Sequence, residues 1–146
     1  MPTFSKRSAA NLAECHPDLR ALFAEVVLTH DCTVIEGERD KAGQDLAFAQ
    51  KKSKLRWPAS NHNVDGVKRT TSWAADVVPY PLDWGNRASF VTFAAFVVAT
   101  AAAMKADGRM AHALRWGGDW DGDGDWKDEK FSDMPHFELV GVAAGE

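Results

Sequence analysis

Apolar residues recur at helical spacing through the first thirty positions. Ala9, Leu12 and Ala13 share one side of a stretch from Ser5 to Cys15, and Leu19, Leu22, Phe23, Val26 and Val27 carry an amphipathic helix to about Thr29. Pro17 falls at the first turn of that second helix, where its missing N–H costs nothing. The period then changes. Cys32-Thr33-Val34-Ile35-Glu36 reads as a strand ended by Gly37, and Gln44 to Lys52 as a short helix whose basic tail suits the C-terminal dipole. A long irregular segment, 53–72, holds Pro58 and Gly66. Ala74 to Val78 follows as a buried strand stopped by Pro79 and Pro81. Residues 88–106 form an apolar helix ended by Asp107-Gly108, and Ala113-Leu114-Arg115-Trp116 is a candidate strand. An acidic, glycine-rich loop separates it from the last strand, His136 to Val140. Helices first, with strands interleaved, predict the α+β class: a small antiparallel sheet with helices packed on it, as one domain over 1–146.

Composition narrows this picture. The chain has 146 residues, 45% of them hydrophobic, which suits a single core. Its net charge of −4 and the lack of a basic tract give a nucleic-acid partner no electrostatic support. Ala88 to Met104 carries no charge, but Ser89, Thr92 and Thr100 interrupt it and it only just reaches the lower length limit for a span. A buried core helix is expected there, and no stable membrane insertion. Cys15 and Cys32 are too few for a disulfide framework and are expected as reduced, small apolar residues. The first fifteen residues lack the apolar run of a signal peptide, so the protein is expected in the cytoplasm until something else releases it. A monomer is expected.

The chemistry concentrates in two separated stretches. Asp76 stands among apolar β-formers, and a carboxylate in that setting needs a metal ion or a hydrogen-bonded partner to offset its desolvation. His62 lies upstream in a turn-rich segment. His136 opens the last strand, from which its side chain could point across the sheet towards Asp76. Two imidazoles and a carboxylate are the three protein ligands of a catalytic zinc whose fourth position is left for water. Asp133, in the turn containing Pro135, is placed to act as the base: it would take a proton from water activated by the metal and pass it to the leaving amine. Each residue alone has a plainer reading: His62 as a surface loop residue, His136 as a satisfied strand residue, Asp133 as a turn residue. The sequence contains no HExxH signature.

The arrangement Ser60-Asn61-His62 with Ala74-Ala75-Asp76-Val77-Val78-Pro79, and later Asp133-Met134-Pro135-His136, resembles the M15 metallopeptidases. It is most similar to the L-alanyl-D-glutamate endopeptidases that tailed phages use as endolysins. Phe4-Ser5-Lys6, Glu36-Gly37-Glu38-Arg39 with Gln44, and Leu114 to Trp120 extend the likeness over nearly the whole chain. The resemblance implies a zinc-peptidase domain with His62, Asp76 and His136 as ligands and Asp133 as catalytic base. It places Arg39 in the active site, where its chemistry suits a substrate carboxylate or an oxyanion. Ser60 is a candidate for substrate binding or for capping its own loop. One departure stands out. Thirteen residues, 63–75, separate His62 from Asp76, more than the family usually has, and Ser72 stands near where the family's glycine would fall. An outward bulge over 65–71 would leave both ends in place, and Asn63 and Asp65 are reserve candidates should Asp76 lie too far away.

The acidic loop carries Asp119, Asp121, Asp123 and Asp125 at alternate positions, with glycine at the sixth, as at the start of a calcium loop. Lys130 stands where a closing glutamate is expected, so Glu129 or Asp128 would complete a regulatory calcium site; a solvated loop that positions Trp120 and Trp126 is the plainer reading. The leading function is a zinc endopeptidase of bacterial peptidoglycan that cuts between L-alanine and D-glutamate during host lysis, crossing from the host cytoplasm to the wall through a separate holin lesion. The alternatives are a D-alanyl-D-alanine carboxypeptidase or dipeptidase, and an inactive metal-binding module that holds wall fragments.

Overall fold

In a computed structural model, residues 2–123 and 133–141 are described. The first two helices begin on side-chain caps. The Ser5 hydroxyl accepts the Ser8 N–H to start α1 (Lys6–Ala13), and His16 Nδ1 accepts the Asp18 N–H to start α2 (Pro17–Val27) with Pro17 in its first turn. Strand β1 (Cys32–Glu36) follows, then α3 (Lys41–Ala49). Helix α3 starts three residues ahead of the expected Gln44 because Asp40 caps it, accepting the Gly43 N–H at 2.8 Å. It also stops earlier. Lys51 takes a left-handed conformation (φ 60°), and the N–H groups of Lys51 and Lys52 return to the carbonyls of Phe48 and Ala47. Both lysines therefore lie beyond the last turn, which corrects the expectation that they complement its dipole.

The remaining elements are β2 (Ala74–Pro79), α4 (Arg87–Ala106), β3 (Ala113–Trp116) and β4 (His136–Val140). The four strands form one antiparallel sheet in the order β1-β2-β4-β3. Strands β2 and β4 are central, and their register sets Asp76 directly opposite His136. Side chains alternate across a strand, so the sheet has two different faces. Ala75, Val77, Phe137 and Leu139 point into the core against α2 and α4, where the Phe23 and Phe137 rings meet edge to face at 5.6 Å. Asp76, His136 and Glu138 point the other way. Removing side chains such as Phe23 and Phe137 from water stabilises the fold by roughly 1.5–3 kcal/mol each.

Helix α4 is long and apolar enough to cross a membrane by length and composition. Its Phe90, Phe93, Ala94, Val97, Ala101 and Met104 are nonetheless buried, packed on α2, β2 and β3, as the core-helix reading expects. Cys15 and Cys32 are buried and free, and burial pushes both thiols up to about 12. They pack as inert apolar groups.

Candidate metal centre

The close approach that orients His62 begins at Gly37. A Cβ on Gly37 would lie 2.3 Å from the Asn11 carbonyl oxygen, so only glycine lets the end of β1 pack this tightly on α1. The Gly37 carbonyl then faces His62 Nδ1 at 2.7 Å. A carbonyl can only accept, so Nδ1 carries the proton and Nε2 offers its lone pair. His136 is oriented the opposite way round. Its Nε2 meets Glu138 Oε1 at 2.7 Å, the proton lies between them, and Nδ1 offers the lone pair.

The two lone pairs and one Asp76 oxygen converge. His62 Nε2 lies 3.1 Å from Asp76 Oδ1 and 3.1 Å from His136 Nδ1, which is itself 3.2 Å from Asp76 Oδ1. Ligands 2.0–2.1 Å from a tetrahedral zinc stand roughly 3.3–3.4 Å apart. Three acceptors at this spacing need a shared cation, a proton on His136 Nδ1 in the metal-free protein or a metal ion in its place, and the set of two imidazole nitrogens and a carboxylate oxygen fits zinc. His62, Asp76 and His136 are thus brought together as the sequence indicates, and neither Asn63 nor Asp65 is needed. Asn63 instead donates to the Arg39 carbonyl and to Gln44 Oε1, bracing the loop.

The electrostatics describe the same demand for positive charge. Burial opposes the charge on Asp76, but His62 and His136 outweigh it and hold its carboxyl far below the usual range. Burial likewise opposes charging His136, yet hydrogen bonds to Asp76 and Glu138 raise it from 6.5 to about 10. Glu138 is lowered to about 2 against its own desolvation by His136 and Arg115.

Asp133 sits at the edge of this triangle, with Oδ2 3.9 Å from His136 Nδ1. Another glycine places it. The Asp133 N–H donates to the Gly117 carbonyl at 2.8 Å, and a Cβ on Gly117 would come within 2.2 Å of the Asp133 carbonyl oxygen. Burial first, then the charge of Asp76, raises the Asp133 carboxyl. It lines both a cavity of about 830 Å³ that runs to Trp84 and Phe90 and one of about 360 Å³ that runs to Arg115 and Trp120. Arg39 lines both as well, its guanidinium held by Glu36 and by Gln44 Oε1 at 3.2 Å. Ser60 is buried, and its hydroxyl accepts the His62 N–H at 3.2 Å, which is the loop-capping arrangement.

The long segment between His62 and Asp76 folds outward as expected. Asp65 Oδ1 accepts the N–H groups of Val67, Lys68 and Arg69 around Gly66 (φ 76°), and the Trp73 N–H rejoins the Asn61 carbonyl at 2.8 Å. Glu138 and Asn61, which support His136, had no role assigned from sequence. The signal for Glu138 was its place two residues after His136, on the same face of β4.

Two other groups of potential ligands occur among the described residues. His16, Asp18 and His112 lie close together, but His16 Nδ1 already accepts the Asp18 N–H, which leaves its proton on Nε2 and no lone pair for a metal. That group caps α2. Asp119, Asp121 and Asp123 bring their oxygens within 4.8 Å of one another, while Asp125, Glu129 and the rest of 124–132 lie outside the described residues. Exposed carboxylates converge this way in many proteins without an ion, so the convergence assigns no calcium site.

Comparison with known proteins supplies a family and a fold. A family profile described as phage L-alanyl-D-glutamate peptidase matches residues 2–140. The L-alanyl-D-glutamate peptidase of Escherichia phage T5 is 30% identical over 145 residues, covering 94% of this chain and 97% of the relative. Among solved structures, the L-Ala D-Glu endopeptidase ChiX of Serratia marcescens superposes with a TM-score of 0.66 at 24% identity, over 95% of this chain and 91% of that one, and so shares the fold.

Proposed function

Because the chain belongs to the phage L-alanyl-D-glutamate peptidase family, we propose that it is a zinc endopeptidase cutting the bond between L-alanine and D-glutamate in the peptidoglycan stem. The observation that carries the reading is the convergence of His62 Nε2, His136 Nδ1 and Asp76 Oδ1 within 3.2 Å of one another, with Asp133 beside them. Held by His62, Asp76 and His136, zinc would supply Lewis acidity to the scissile carbonyl and to the attacking water.

The protein groups do the rest. Asp133, with its carboxyl raised by burial and by Asp76, accepts the proton of the attacking water and returns it to the leaving amine of D-glutamate. Gly37 and Glu138 keep the two imidazoles in the tautomers that face the centre. Arg39 retains N–H groups beyond those used by Glu36 and Gln44, and directs them to a substrate carboxylate or the developing oxyanion. Ser60 serves the His62 loop. In the cell the enzyme acts in lysis, crossing from the host cytoplasm to the wall through a separate membrane lesion.

Mass spectrometry of peptidoglycan digested by the zinc-loaded wild type and by His136→Ala tests the reading. New N-terminal D-glutamate is expected in the first digest only. Free D-alanine instead would assign the protein to D-alanyl-D-alanine cleavage, and no product at all would leave a wall-binding module.

A further inference from the structure

Arg69 belongs to the stretch that lengthens the chain between His62 and Asp76, yet its side chain turns back and is only 6% exposed. The guanidinium donates to the carbonyls of Pro58 (3.2 Å) and Ser60 (3.0 Å), and to Asn61 Oδ1 (2.7 Å). Asn61 Nδ2 donates in turn to Glu138 Oε2 at 3.0 Å, and Glu138 Oε1 accepts from His136 Nε2 at 2.7 Å. Arg115 holds the same Glu138 Oε2 from the other side at 2.5 Å.

The amide of Asn61 is the decisive link. An asparagine presents either its oxygen or its NH2, and towards a carboxylate only the NH2 is attractive. By donating to Oδ1, Arg69 forces the NH2 towards Glu138. We infer that Arg69 is a positioning residue for His136. Through Asn61 and Glu138 it fixes the imidazole so that Nδ1, not Nε2, faces the metal centre. The inference rests on the zinc reading of that centre and adds to it a reason for the unusual length of the segment.

A loop clamp is the simpler role, and it accounts for the bonds to Pro58 and Ser60. It does not account for the third bond, to a side chain whose other end touches the support of a ligand. Nor does it explain a buried guanidinium whose Nε has no partner, since a buried, unsatisfied N–H costs about 1–3 kcal/mol. An apolar side chain would fill the loop without that cost.

Two variants separate the roles. Arg69→Met removes clamp and relay together, whereas Asn61→Leu breaks the relay and leaves both carbonyl bonds of Arg69 intact. The readouts are zinc affinity by competition with a chelating dye, kcat and KM on stem peptide, and the folded fraction by circular dichroism. Losing a partner behind a metal ligand typically weakens binding by about 10–100-fold. Both variants are expected to bind zinc roughly tenfold more weakly and to lose kcat with KM little changed, and Arg69→Lys to recover part of each. Wild-type zinc affinity and kcat in folded Asn61→Leu would overturn the relay, whether or not Arg69→Met folds. Absence of zinc binding in the wild type would instead overturn the metal reading beneath it.

Discussion

The metal-free protein should lose stability as pH rises from 6.5 to 8.5, and the size of the loss follows from His136. The side chain is buried, yet Asp76 Oδ1 stands 3.2 Å from Nδ1 and Glu138 Oε1 2.7 Å from Nε2. Those two carboxylates raise the imidazole from 6.5 to about 10 against the opposing effect of burial. A base raised on folding stabilises the native state fully below its unfolded pKa of 6.5, and this contribution fades as pH climbs through about 10. At 1.36 kcal/mol per pH unit the whole effect is at most about 5 kcal/mol. Between pH 6.5 and 8.5 the linkage relation gives a loss of about 2 kcal/mol. For a domain of this size that is a fall in Tm of roughly 4–8 °C.

The interval keeps clear of the thiols and of His16, and Asp133, whose carboxyl burial and Asp76 raise, can only add a loss of the same sign. Above pH 9 the buried thiols Cys15 and Cys32, pushed up to about 12, would add a loss of the same sign. Below 6.5, His16 acts oppositely, because burial lowers it and so disfavours its charged form in the folded protein. Scanning calorimetry of chelator-treated protein at half-unit steps measures the slope. Glu138→Gln, which removes one of the two carboxylates, should flatten it. Saturating zinc should reverse the trend, since a metal displaces the proton and binds more tightly as pH rises. A metal-free Tm that is flat or increasing from 6.5 to 8.5 would refute the claim that two carboxylates and a shared cation govern this centre.

Asp133→Asn should lower kcat by about 10²–10⁴ while leaving zinc affinity near wild type, which steady-state kinetics and dye competition would show together. Gly37→Ala puts a Cβ 2.3 Å from the Asn11 carbonyl oxygen, so the end of β1 must move and carry the His62 contact with it. A stability loss of about 1–3 kcal/mol by urea unfolding and a fall in kcat/KM of up to about 100-fold are expected. Asp18 Oδ2 accepts the backbone N–H groups of Ala111 (3.0 Å) and His112 (2.9 Å) far from the centre. Asp18→Ala should therefore cost about 2–3 kcal/mol in urea unfolding, with kcat on stem peptide unchanged where the protein remains folded.

What could be read in the sequence was local. Strands β1, β3 and β4 have the bounds that their apolar pattern and flanking glycines indicate, and Asp76 announced itself as an acid among β-formers. Helix α3 starts ahead of its apolar pattern because a single capping hydrogen bond to Asp40 outweighs the modest apolar content of Lys41 to Gly43. The support of the centre was harder to see for a different reason. Asn61 and Glu138 stand 77 positions apart, and Arg69 reaches Asn61 only because the Asp65 turn folds the segment back. No periodicity encodes such contacts, since the fold decides them.

That fold also explains why the centre lies where it does. Antiparallel pairing of β2 with β4 sets Asp76 opposite His136, and side chains alternate along β4, so the register that brings these two together also buries Phe137 and Leu139. A slip of one residue would turn both apolar side chains towards the cleft, losing roughly 1.5–3 kcal/mol for each. It would also drive His136 and Glu138 into the core without their partners, a further cost of several kcal/mol. The register is thus held by the opposite face of the sheet. Phe23 and Phe93, which touch Phe137 from α2 and α4, thereby help to fix the positions of Asp76 and His136 on the other face of the sheet. Precision at the centre is inherited from the packing of the core, and the cleft side chains are left free to serve chemistry.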